Sequence, residues 1–140
     1  MEMLTSGLTE YVSDEESLAR FLNSSRHFNA NSQIKHAALL PHNGETSVFR
    51  YPVDTTVDTE KKLWEIGEKI LPPGRQLHGV AFIQTSYVRK IGLEVLAEEP
   101  PPRHANIIKW PSDNDKFIEK ARQKELAISL AQNAILRKKP

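Results

Sequence analysis

Cysteine is absent from the 140 residues. That excludes disulfides, thiolate metal sites and a cysteine nucleophile, and it fits a reducing compartment. Glycine is scarce, with 6 residues, and none of GxGxxG, GxxxxGK[ST] or GxSxG occurs. The common dinucleotide, P-loop and hydrolase signatures are missing with them. Aromatics make up only 7% of the chain, and no strand carries the aromatic pattern of RNA-recognition sheets. No apolar run approaches the roughly 20 residues of a membrane-spanning helix. The opening MEMLTSGLTEYVSDEE is acidic and lacks a basic-then-apolar leader pattern. A soluble cytoplasmic protein without membrane association is the expectation. The histidines are His27, His36, His42, His78 and His104. None stands in an HxH or HxxxH pair or beside a glutamate at metal-ligand spacing, so neither a metal nor a cofactor is expected.

What is present suits one small domain. The length is near the common domain size, and 39% of residues are hydrophobic, enough for one core. The net charge of +1 hides an asymmetry. Residues 1–70 hold 7 Lys and Arg against 11 Asp and Glu, while residues 71–140 hold 12 against 7. A basic half attracts phosphates or acidic partners. Two halves of opposite sign packed together would give merely a mixed surface.

The densest apolar stretch runs from Leu77 to Pro111. Its β-branched and aromatic content predicts a strand over 77–84, with neither face purely polar, hence central in a sheet. Thr85 or Ser86 can cap a short helix over 86–91, ended by Gly92. A strand over 93–97 stops at Pro100, Pro101 and Pro102, and another follows over 105–110.

Before this stretch, Ser13 and Glu16 form a capping box for a helix over 13–23, with Leu18, Phe21 and Leu22 as its apolar face. Asn43-Gly44, between apolar runs at 34–40 and 47–51, predicts a hairpin. Residues 52–57 link to a helix over 59–71, capped by Asp58. Beyond it, Ser112 to Asp115 resemble a capping box for a helix over 113–136. At 100° per residue, Phe117, Ala121, Ala127, Ile128, Ala131 and Ile135 form its apparent core stripe, with Leu126 and Leu130 opposite. The sum is an α+β domain: a mostly antiparallel sheet of about five short strands, covered by three helices plus one short helix. Residues 1–12 are expected to be a flexible N-terminus, 13–136 the domain and 137–140 a basic tail.

Two functional classes fit. The first is a non-enzymatic protein-interaction or accessory module, contacting a protein partner or a second copy through Leu126, Leu130 and Trp110. The second is a phosphate- or nucleic-acid-binding protein, or a small phosphodiesterase or ribonuclease. There His104 and Arg103 are the catalytic candidates, and Arg89, Lys90, Ser86 and Tyr87 the anion-binding set. Histidine moves protons near neutral pH, arginine offsets developing charge, and the start of the short helix adds free N–H groups. In the structural alternative His104 caps a carbonyl at a strand start, while Arg89 and Arg103 pair with Glu94, Glu98 or Glu99. A core or core-edge role is expected for Trp64 and Trp110.

Overall fold

A computed structural model describes residues 4, 6–51 and 57–140. The linker expected over 52–57 and the Asp58 cap lie outside the described backbone and side chains, except that Val57 opens a helix. Six strands form one antiparallel sheet: β1 (Ser17–Leu22), β2 (Thr46–Tyr51), β3 (Gly79–Gln84), β4 (Glu94–Ala97), β5 (His104–Ile108) and β6 (Ile135–Lys138). Their spatial order is β4-β5-β2-β1-β3-β6. The helices are α1 (Val57–Ile70), the short α2 (Thr85–Lys90) and α3 (Lys116–Gln132). Single 3-10 turns occur at Ser25–His27 and His36–Ala38. This is the expected α+β class with one more strand. Among the described residues no helix is long and apolar enough to cross a membrane.

The alternation of β1 explains the first departure from the sequence reading. Ser13 and Glu16 do make the capping contact, with the Ser13 N–H donating to Glu16 Oε2 at 2.7 Å. The chain then enters the central strand rather than a helix. Leu18 and Leu22 fit both a helical and a pleated period. Pairing of β1 with β2 and β3 decides for the strand, because it satisfies both backbone edges. Residues 34–40 also give no strand, only the 3-10 turn at His36–Ala38. The Asn43-Gly44 turn does form, with φ of 52° and 80° and reciprocal His42–Glu45 backbone bonds.

One face of the sheet carries Leu18, Val48, Ile83, Val95 and Ile107 under Ala127, Leu130 and Ala131 of α3. The other buries Ala19, Phe49 and Val80 under Leu63 of α1. Gly67 lets α1 lie close, since a Cβ there would stand 2.6 Å from the Phe21 ring. No residue of β4 or β5 belongs to the cluster under α1. That half of the second face is left more open, and Leu96 is 53% exposed on it.

The buried stripe of α3 is rotated from the expected one: it keeps Ala127 and Ala131, gains Leu130 and loses Phe117 and Ile128. Ala127, Leu130 and Ala131 are buried, while Phe117 is 83% exposed and Ile128 36%. Small alanines bring the helix close to the sheet, which residue hydrophobicity alone does not reveal. The helix also stops at Gln132, so Ile135 belongs to β6 and the expected helix end and basic tail are an edge strand. The end of the N-terminal segment contacts the domain. Val12 is in the core, and the Thr9 and Tyr11 carbonyls accept from Arg50.

Candidate functional site

His104 opens β5 opposite Phe49 of β2, and Ser47 lies one diagonal step away on the same face. Ser47 Oγ and His104 Nε2 are 2.7 Å apart. His104 Nδ1 is 2.8 Å from the Glu98 carbonyl oxygen. A carbonyl only accepts, so Nδ1 carries the proton in the neutral ring and Nε2 accepts from the serine hydroxyl. Asn106, on the same face, donates from Nδ2 to Glu98 Oε2. The Phe49 ring packs against the imidazole at 5.3 Å between centroids. A hydroxyl bonded to an imidazole that is itself oriented from behind is the geometry of a hydroxyl–base pair.

Ser47 and Phe49 also line a cleft of about 90 Å³ between the sheet and the end of α1. Arg20, Asn23 and His27 complete its polar wall. Pairing between β1 and β2 runs only from Ser17↔Tyr51 to Ala19↔Phe49. Beyond that the Arg20 side chain bridges the two strands, donating from Nε to the Ala38 carbonyl and from Nη1 to the Ser47 carbonyl, each at 2.9 Å. Burial lowers the Arg20 pKa, although an arginine stays charged. The His27 pKa is lowered first by burial and then by the charges of Arg20, Arg75 and His78. His27 Nδ1 is buried without a hydrogen-bond partner.

Arg103 goes to a different cleft. With φ at 69° it turns toward α1 and lines a space of about 250 Å³ with Ser6, Lys62, Glu65 and Lys69. Burial lowers its pKa, with Tyr51 and Glu99 acting against that. Its Nη1 is buried and has no hydrogen bond.

The expected anion set does not assemble around His104. Arg89 Nη1 is 2.5 Å from Asp14 Oδ1, its Nε is 2.6 Å from Glu94 Oε1, and its Nη2 donates to the Val12 carbonyl. Burial works to lower the Arg89 pKa, but these carboxylate contacts outweigh it and the pKa is raised. The first N–H groups of α2 are taken as well: Thr85 N–H donates to the Glu16 carbonyl and Ser86 N–H to that of Asp14. No side chain caps α2, so neither Thr85 nor Ser86 plays the expected part. Lys90 and Ser86 are exposed, and Tyr87 packs against the core.

The partner-binding set is displaced too. Leu130 is fully buried and Trp110 is 8% exposed, its indole N–H donating to the Ile107 carbonyl. Leu126 packs partly buried against the same core. The outer face of α3 instead presents Phe117, Ala121 and Ile128, residues assigned to the core by periodicity. Ser47, Arg20, Asn23 and His27 escaped sequence reasoning entirely. No motif joins them, and only the splay of β1 from β2 brings them together. Among the described residues no group of three or more histidines or acidic residues could hold a metal. No family model, no curated protein and no solved structure matches the chain.

Proposed function

We propose that the protein is an interaction module that docks an acidic amphipathic helix on the outer face of α3. The exposure of Phe117, at 83%, carries this reading. Phe117, Ala121 and Ile128 fall within about 40° of one another around the helix axis. Phe117 and Ile128 stand eleven positions apart, roughly 16 Å of helix. Burying Phe117 would contribute about 1.5–3 kcal/mol, and Ile128, only 36% exposed, correspondingly less.

Charge selects the partner. Lys116, Lys120 and Lys124 form a row along one edge of the apolar stripe. Like charges four residues apart cost a helix about 0.2–0.5 kcal/mol per pair, and within α3 only Lys116 of the row has an ion-pair partner among the described residues, Glu119 at 3.4 Å. A partner helix with Asp or Glu beside its apolar face would meet it favourably. A second copy fits less well, because antiparallel two-fold pairing brings like edges together and would set lysine row against lysine row. The phosphate-directed alternative keeps His104 but loses Arg89, which Asp14 and Glu94 hold.

Fluorescence anisotropy with synthetic amphipathic helices tests the reading. A peptide with acidic flanks should bind at least about tenfold tighter than its lysine-flanked counterpart, and Phe117→Asp with Ile128→Asp should weaken it at least about tenfold. Equal binding of both peptides, or unchanged binding by the double variant, would rule the docking face out.

A further inference from the structure

Arg20 is a partly buried cation that forms no ion pair among the described residues. Burial lowers its pKa. Arg50, the more deeply buried arginine, is matched by Glu16 at 2.8 Å. Buried charges that lack a partner are costly, and an anion is what would complete this one.

We propose that the cleft beside Ser47 binds the phosphate group of a phosphomonoester, with Arg20 as the charge that holds it. Two Arg20 nitrogens are committed to backbone carbonyls, which fixes the guanidinium in place. Nη2 makes no hydrogen bond among the described residues and remains for a ligand. The Asn23 amide and the Ser47 hydroxyl border the same space, and His27 adds a ring whose Nδ1 is unpartnered. At about 90 Å³ the cleft has room for one small oxyanion, with the rest of the molecule outside. Donors converging from a guanidinium, an amide and a hydroxyl suit a tetrahedral group with several acceptor oxygens better than a planar carboxylate. His104 completes the arrangement. Its Nε2 lies 2.7 Å from Ser47 Oγ, and the serine hydroxyl can turn its proton from the ring to the phosphate.

Calorimetric titration at low ionic strength is the test, with inorganic phosphate and methyl phosphate as probes and acetate as the carboxylate control. Both phosphates should bind one to one, and acetate at least about tenfold more weakly. Asn23→Ala and Ser47→Ala should each weaken phosphate binding about tenfold or more, the loss expected for a hydrogen bond to a charged group. Lys62→Ala combined with Lys69→Ala, which alters the neighbouring cleft, should leave it unchanged. Arg20→Gln removes a strap between strands as well as a charge, so the decision rests on Asn23 and Ser47. The proposal is overturned by a lack of saturable phosphate binding or by acetate binding equally well. It also fails if binding survives Asn23→Ala and Ser47→Ala but not the lysine variant.

Discussion

At the scale of single residues, the contrast between Arg50 and Arg20 is the most informative. Arg50 is 1% exposed, and each guanidinium nitrogen is used: Nε and Nη2 on Glu16, Nη1 on the Thr9 carbonyl, Nη2 also on that of Tyr11. Glu16 in turn accepts from the Ser13 N–H. Removing one member of such a pair leaves a buried charge alone. Arg50→Ala should therefore cost about 3–5 kcal/mol in urea unfolding. Replacing both residues, as Arg50→Met with Glu16→Leu, should cost distinctly less than the single change. If the two variants are equally unstable, the loss comes from the freed Thr9 and Tyr11 carbonyls instead. Sequence reasoning saw Glu16 only as a local cap. Its second role requires Arg50, 34 positions away, and no local pattern shows that.

Elements show what periodicity can and cannot deliver. Strands β2 to β5, the helices α1 and α2, and the Asn43-Gly44 turn were all legible, because turn chemistry and proline breaks bound them tightly. The misplaced elements share a cause. In β1 the run SLARFL satisfies two periods, and only its neighbours decide between them. In α3 Phe117 and Ile128 lie outside while Ala127 and Ala131 lie inside beside Leu130, so a hydrophobicity count misplaces the centre of the buried face. Strand β6 was read as the end of a helix, yet Gly79 in β3 makes room for it. A Cβ at Gly79 would stand 2.7 Å from the Arg137 carbonyl oxygen, which is backbone and cannot swing aside. Gly79→Ala should accordingly loosen β6. Amide hydrogen exchange would show lost protection over 135–138 while β1 and β2 keep theirs. Retained protection along β6 would mean that the strand shifts to accommodate the methyl group.

For the molecule as a whole, the buried positive charge near His27 links stability to pH. The His27 pKa is held below its ordinary 6.5 by burial and by Arg20, Arg75 and His78. The unfolded chain therefore binds a proton more readily than the folded one between the lowered value and 6.5. Unfolding takes up a proton in that window, so stability falls as pH drops through it. Comparison of urea unfolding at about pH 7.5 and about pH 5.5 should show a smaller loss for His27→Asn than for the original chain. An identical loss in both would assign the slope to other groups. The fold class was legible at this scale because it needs only the alternation of short strands and helices. The strand order was not, and the cleft at Ser47 depends on that order.

The same order governs how the chain reaches its folded form. Only β4 and β5 join across a short turn; β2 meets β5, β1 meets β3, and β3 meets β6 across long stretches of intervening chain. Each such closure spends conformational freedom before any side chains interlock, which slows acquisition of the native state toward the millisecond-to-second range typical of non-local sheets. Strand β1 gains both of its neighbours from later parts of the polypeptide. Until both have arrived, its apolar residues stand open to other molecules at high concentration.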